Sequence, residues 1–288
     1  MFRQEEIPVK VVYWFRSLGI FSSKSKVSLI KNDQVLNTYY ASEKDACNGG
    51  FGLVRFFKDE QGQELAVKSP IGVVTNPYNF DGVNLISSQV FFKKVYPNHI
   101  SSIHTYPGTY RQVMPKFPGM TLDKALKNPT QAYFIDVVLA VAKELKRLHG
   151  LDIVHGDIKG KNIIVNGADI YFIDFDFSYY ADKKATVTSY THKECVYWAP
   201  ERTNRCDEID ANIAQDIYSF AMLFDEKYFN RDFLEDHIGY YLYLYGEKAK
   251  LEPEKRPSLD LFISAFEGFK MQAEMATLDI NDSVKRTM

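Results

Sequence analysis

Four polar residues with reactive side chains stand close together near the middle of the chain. Asp157, Lys159 and Asn162 lie on one short run, from Ile153 through His155 and Gly156 to Asn162. Asp174 follows twelve residues after Asn162, within Ile173, Asp174, Phe175 and Asp176. A carboxylate can orient a hydroxyl and take its proton. An amide oxygen and a second carboxylate suit Mg²⁺, a hard cation that prefers oxygen ligands. An ammonium group two residues from the first carboxylate can neutralise charge on a phosphate. These are the parts needed to move a phosphoryl group from ATP to a hydroxyl.

That chemistry requires Asp174 to return beside Asn162. Two short apolar runs between them, residues 163–165 and 170–173, read as the strands of a hairpin that would fold it back. Ahead of the loop, residues 130–149 read as a helix. Phe134, Val137, Val138, Val141, Leu145 and Leu148 repeat at the spacing of one buried face, and Gly150 is a stop signal. Residues 33–70 read as β-rich, with 51–57 and 64–68 flanking Asp59, Glu60, Gln61 and Gly62 as a hairpin. Residues 82–96 suggest a short helix with Leu85, Val90 and Phe92 among its apolar positions. Residues 99–117 suggest two strands around Tyr106, Pro107 and Gly108. A β-rich first part and a helical second part predict two lobes, a cleft between them, and a connection within 114–119.

Composition narrows the class. With 45% apolar residues, 15% aromatic residues and 288 residues in all, the chain can fill a sizeable core. A formal charge of -2 argues against nucleic acid as the main partner. Cys47, Cys195 and Cys206 lack C-x-x-C spacing, which argues against a zinc site or a disulfide framework and fits a reducing, cytoplasmic setting. No apolar run approaches about 18 residues, so no membrane span is expected. The apolar stretch 9–21 carries Lys10 and Arg16 and follows Glu5 and Glu6, unlike a signal peptide. Residues 1–37 are expected to pack on the main domain as an extension, and 271–288 to form a polar tail.

The motifs resemble the eukaryotic-type Ser/Thr protein kinase family in a divergent form. The run from His155 to Asn162 resembles H-R-D-x-K-x-x-N, and Asp174 with Phe175 resembles the start of D-F-G. The resemblance implies Asp157 as catalytic base and Lys159 on the transferring phosphate. It implies Asn162 and Asp174 as ligands for Mg²⁺ or Mn²⁺. Leu65, Ala66, Val67 and Lys68 resemble V-A-I-K, which places Lys68 on the ATP phosphates. Gly49, Gly50 and Gly52 resemble the phosphate-covering loop. Val54, Ala66, Met114, Pro115 and Phe117 complete the implied nucleotide site, with the backbone of Pro115 and Phe117 on the adenine edge. Ala199, Pro200 and Glu201 match A-P-E, Asp216 matches the residue that ties down the catalytic loop, and Arg256 would pair with Glu201.

The resemblance covers roughly residues 38–270, as a β-rich lobe over 38–114 and a helical lobe over 120–270. The implied fold is α+β and bilobal, with ATP in the cleft. The implied activity is phosphorylation of Ser or Thr in a protein substrate. The compact domain and its departures also look like effector kinases that bacteria deliver into host cells.

Four departures stand out. Gly156 replaces the Arg of H-R-D, which commonly receives a phosphate on the activation loop. Activity independent of loop phosphorylation is therefore expected, although Thr186, Thr188, Ser189, Tyr190 and Thr191 remain acceptors. Asp176 replaces a Gly whose backbone angles Asp adopts at a cost. Cys47 takes the first Gly position of the phosphate loop. No Glu occurs between Glu64 and Glu144, so the usual partner of the strand lysine is missing. Gln89 or Ser88 falls near its place, and Glu5, Glu6, Asp33 or an activating protein partner are the other candidates. Two rival readings are a small-molecule phosphotransferase of the aminoglycoside or choline kinase type and a pseudokinase. Lys159, A-P-E and Arg256 oppose the first; the retention of Lys68, Asp157, Asn162 and Asp174 opposes the second.

Overall fold

Strand-forming sequence dominates up to Lys116 and helix-forming sequence follows from Phe117, and the chain divides into two compact units at that point. A computed structural model describes residues 10–14, 26–31, 33–48, 52–70, 85–99, 101–106, 109–181, 184–186, 196–203, 208–210, 212–227 and 229–287. Gly49, Gly50, Glu5, Glu6 and the loop acceptors Thr188, Ser189, Tyr190 and Thr191 lie outside the described residues.

The first unit contains strands β1 (Lys10–Trp14), β2 (Lys26–Lys31), β3 (Gln34–Asn48), β4 (Gly52–Lys58) and β5 (Glu64–Pro70). Helix α1 (Leu85–Val95) and strands β6 (Ser102–Tyr106) and β7 (Thr109–Pro115) complete it. All seven strands form one antiparallel sheet in the order β1-β2-β3-β4-β5-β7-β6, curled so that β1 approaches β6. Both hairpins read from the turn sequences are present. The early segment does more than lie against the sheet: β1 and β2 extend it. Val27 and Leu29 of β2 are buried with Tyr39, Phe57, Leu65, Val67 and Val113 in one core.

Side chains alternate across a strand, so cross-strand partners share a face. Val54 pairs with Lys68 and Lys68 with Gln112, while Phe56 pairs with Ala66 and Ala66 with Met114. Val54, Ala66, Lys68 and Met114 therefore share the face opposite the core of Leu65, Val67 and Val113. Helix α1 buries Ser88, Phe91, Phe92 and Val95, an i, i+3, i+4, i+7 stripe. Val90 falls off that stripe and is exposed, contrary to the apolar position read for it.

The second unit begins with β8 (Met120–Thr121), the one-turn helix α2 (Leu122–Ala125) and α3 (Gln131–His149). Short strands β9 (Ile153–Val154), β10 (Ile163–Asn166), β11 (Asp169–Phe172), β12 (Tyr179–Tyr180) and β13 (Lys184–Thr186) follow. Helix α4 (Pro200–Thr203), strand β14 (Glu208–Asp210) and helices α5 (Ala214–Met222), α6 (Asp236–Ala249) and α7 (Leu259–Thr287) complete it. The expected stripe of α3 is buried throughout, Thr130 caps its start by accepting from the Tyr133 N–H, and the Gly150 N–H closes its end on the Lys146 carbonyl. Phe134, Phe220, Phe224, Phe262 and Phe266 join α3, α5 and α7 in an aromatic core. No helix among the described residues is long and apolar enough to cross a membrane.

Burial of β2 makes a testable claim about the early segment. Leu29→Ala should lower unfolding free energy by about 2–5 kcal/mol. Val35→Ala, on a residue 60% exposed, should stay within about 0.5 kcal/mol. Denaturant titration of the two variants separates a strand that belongs to the core from one that merely lies over it.

Candidate active site

Two strand pairings hold the loops that carry Asp157 and Asp174. β10 and β11 form the expected hairpin, and β12 returns to pair with β9. Residues 155–162 and 173–178 thus run from neighbouring strands. The Ile173 N–H donates to the Asn162 carbonyl at 2.9 Å, which brings the two loops together at the metal-ligand candidates.

The backbone before Asp157 is fixed by Asp216, in the first turn of α5. Its fully buried carboxylate accepts the N–H of His155 at 2.7 Å and of Gly156 at 2.9 Å, and His149 Nε2 donates at 3.1 Å. Burial pushes the Asp216 carboxyl up. The hydrogen bond and charge of His149, with the backbone N–H of Gly156, outweigh it and hold the group below its ordinary range.

His155 ties the loops together. The Asp157 N–H donates to Nδ1 at 3.3 Å, so the ring proton sits on Nε2, which donates to the Ile173 carbonyl at 3.1 Å. Ser178 Oγ donates to the His155 carbonyl at 2.8 Å. Complete burial lowers the imidazole pKa against the pull of Asp216, Asp157 and Asp174, which favours this neutral tautomer.

Asp157 is 5% exposed and its carboxylate is held from two sides. Oδ2 accepts Lys159 Nζ at 2.6 Å and Asn162 Nδ2 at 2.8 Å, while Oδ1 accepts the Trp198 indole N–H at 3.2 Å. Asn162 Nδ2 also reaches the Asp157 carbonyl at 2.9 Å. With its nitrogen so engaged, Asn162 keeps Oδ1 as its acceptor, an oxygen suited to a hard cation. No group of three or more His, Cys, Asp or Glu gathers as a metal cage among the described residues. Mg²⁺ bound by one or two carboxylates completes its shell with water and phosphate, so the oxygen donors on these adjoining loops fit it.

Three departures acquire physical content. Gly156 has φ +76°, and a Cβ there would lie 2.3 Å from the Phe177 carbonyl oxygen. The site cannot take the family's arginine in this backbone conformation. Asp176 is buried and has no positive φ; the left-handed residue is Asp174, at φ 69°. The backbone penalty expected at Asp176 is therefore displaced two positions, and Asp176 is not a solvent-facing loop residue. On α1, Ser88 turns to Gln112, the strand partner of Lys68, at 3.5 Å, while Gln89 directs Nε2 to the Ser101 carbonyl at 3.0 Å. Lys68 itself is buried.

The remaining candidates fall on either side of the chain's division. Met114 is buried, and Pro115 pairs with Leu65 at the end of β7. Phe117 opens the second unit with its ring stacked on Tyr171 at 4.2 Å. Arg256 grips Glu201 with two bonds of 2.6 and 2.7 Å and also donates to the Ala214 carbonyl at 2.9 Å, pinning the A-P-E segment to the start of α5. A cleft of about 750 Å³ opens beside the loop, lined by Asp123, Gly160, Tyr197, Phe229 and Asp232 among others. A Cβ on Gly160 would fall on Asp123 Oδ1, so the glycine lets α2 close against the loop. Trp198 and Arg202 were not legible as site residues. They contact the loop across 41 and 46 positions, and neither residue type signals such a partner.

The anchor is open to a pH test. A folded carboxyl held below its free value stays charged after the unfolded one has taken a proton. Its stabilisation is therefore complete above the free value, about 3.9, and is lost as pH falls through the lowered folded value. Asp216→Asn should cost about 3–5 kcal/mol near neutral pH, and the gap from wild type should close in acid. Unfolding measured across a pH series checks both parts.

Comparison with known proteins follows the same lines. The sequence profile of the protein kinase domain matches residues 40–243. The mitogen-activated protein kinase HOG1A of Wallemia ichthyophaga is 27% identical over 236 residues, 75% of this chain and 60% of the relative. A putative serine/threonine-protein kinase, R436, of Acanthamoeba polyphaga mimivirus is 34% identical over 91 residues, 31% of this chain and 32% of the relative. A probable bifunctional tRNA threonylcarbamoyladenosine biosynthesis protein of Methanothermobacter thermautotrophicus is 42% identical over 43 residues, 15% of this chain and 8% of the relative. The chain thus spans less than two thirds of the length of each. The profile match takes in both loops, Asp216 and the A-P-E segment and covers well over half of the sequence, and the chain belongs to the protein kinase domain family.

Proposed function

We propose that this chain is an ATP-dependent protein kinase that phosphorylates Ser or Thr in a protein substrate, with Asp157 as the base. The observation that carries the reading is the hold on Asp157: Oδ2 is bound by Lys159 and Asn162 and Oδ1 by Trp198, on a backbone fastened by Asp216. A carboxylate so fixed presents a defined lone pair to an incoming hydroxyl. The hydroxyl oxygen bonds to the γ-phosphorus as the bond to the β,γ-bridging oxygen breaks. ADP leaves, and Asp157 accepts the hydroxyl proton.

Lys159 faces the transferring phosphate and Lys68 the other phosphates. Val54, Ala66 and Met114 share the face of Lys68; by the family resemblance these residues would serve the nucleotide, as would Gly49, Gly50 and Gly52 for the phosphates and the backbone of Pro115 and Phe117 for the adenine edge. Asn162 and Asp174 would hold Mg²⁺ or Mn²⁺, which neutralises phosphate oxygens when bound. Ser/Thr specificity draws on Lys159 and on the relative named as a putative serine/threonine-protein kinase. The cleft beside Gly160 leaves room for a side chain flanking the acceptor, which favours a polypeptide over a small alcohol. Independence from loop phosphorylation draws on Gly156, which offers no side chain to receive a phosphate. We place the protein in the cytoplasm of its own or a host cell.

The test is phosphoryl transfer from ATP to basic protein substrates against a panel of small alcohols, with phosphoamino acid analysis. Asp157→Ala should lower kcat by about 10²–10⁴-fold, and Asp174→Ala should abolish turnover with either Mg²⁺ or Mn²⁺. Transfer only to small alcohols, or turnover that survives Asp157→Ala, would sink the assignment. Phosphatase treatment should leave activity unchanged; its loss would contradict independence from the loop.

A further inference from the structure

Arg202 is a buried cation in an aromatic setting. It is 3% exposed, and its guanidinium lies 4.0 Å over the Trp198 ring, 5.3 Å from the Phe177 ring and 5.9 Å from the Tyr179 ring. Nη1 donates to the carbonyl of Gly156. Nε and Nη2 are buried and have no hydrogen-bond partner among the described residues. Burying a guanidinium with two unmatched nitrogens is unfavourable unless its other contacts compensate. Their burial also keeps an external phosphate away, so the cation serves the protein's own loop.

Two of its contacts lie on either side of Asp157. One is the carbonyl of the residue immediately before it. The other is Trp198, whose N–H bonds Asp157 Oδ1 at 3.2 Å. A cation over the ring face withdraws electron density and makes the indole N–H a stronger donor. A carboxylate has about four lone-pair sites. Lys159 and Asn162 occupy both on Oδ2, and Trp198 occupies one on Oδ1. Among the described residues the site left open is the second one on Oδ1.

We propose that Arg202 is a positioning residue for Asp157. It fills the place that Gly156 leaves empty, fastens the Gly156 carbonyl, and holds Trp198 so that Oδ1 of Asp157 presents its one open lone pair to the substrate hydroxyl. A Cβ on Gly156 would approach Arg202 Nη1 to 2.9 Å, so the glycine and the arginine are two halves of one arrangement. The proposal rests on Asp157 being the base.

Steady-state kinetics with ATP varied up to saturation test it. Trp198→Phe keeps an aromatic face for Arg202 while removing the donor along with one ring of the indole, and should lower kcat about 10-fold with KM for ATP within about twofold. Arg202→Met should lower kcat by at least as much, and Arg202→Lys should recover part of the loss. The double variant Trp198→Phe/Arg202→Met should fall little below Arg202→Met alone, because the two act as a unit. Wild-type kcat in Trp198→Phe, or losses that simply multiply in the double variant, would overturn the proposal. If Arg202→Met fails to fold by thermal unfolding, Trp198→Phe and Arg202→Lys decide, and wild-type kcat in both overturns it. Asp157→Ala separates the two levels. If it stays active, the base assignment fails; if it is dead while the Trp198 and Arg202 variants match wild type, only the positioning role fails.

Discussion

The second unit's chemistry depends on one buried carboxylate. Asp216 has no solvent to stabilise its charge, so the N–H groups of His155 and Gly156 and the ring of His149 must do it. That requirement fixes the backbone immediately before Asp157. Asp216 is itself fixed because α5 buries Ile217, Phe220 and Ala221, with Phe220 in the aromatic core. Apolar packing thus sets the helix, the helix sets the carboxylate, and the carboxylate sets the loop. An error of an ångström in that core would reach Asp157 through only two hydrogen bonds.

From there the loop is organised by groups of differing charge. A neutral His155 bridges the Asp157 N–H and the Ile173 carbonyl, and so joins the segments that carry Asp157 and Asp174. A charged Arg202 sits on the other side of the same backbone, against Gly156. Arg256 and Glu201 cancel each other's charge where the A-P-E segment meets α5. Asp216, His155, Arg202 and Arg256 each bond a backbone group of this region, which favours a loop preorganised before any substrate arrives.

Local features were legible in the sequence and distant ones were not. The α3 stripe was readable because a 3.6-residue period leaves its mark within one element, and the hairpins were readable because their turn residues are adjacent. Asp157, Lys159 and Asn162 could be grouped because they lie within six consecutive positions, and the β10–β11 hairpin could be expected to return Asp174. Val90 misled because α1 is only three turns long, too short for its apolar residues to define one face. The left-handed conformation of Asp174 arises from how the second loop meets the first, which no single residue type encodes. Arg202 reaches Gly156 and Trp198 reaches Asp157 only through the folded second unit. The part played by Val27 and Leu29 was hidden for a related reason. They lie before the stretch that resembles the family, and only the sheet register shows that they complete its core.

That register bears on how the first unit is built. From β1 to β5 every strand pairs with the one made just before it, and β6 and β7 pair as a hairpin. Among the described strands only the β5–β7 pairing, and the approach of β1 to β6, joins strands separated by a helix. Contacts so local in sequence incur little loop-closure entropy and form fast. During synthesis each strand from β2 to β5 therefore emerges to find its partner already present. Most of the sheet can be in place before the residues of the catalytic loop have been translated.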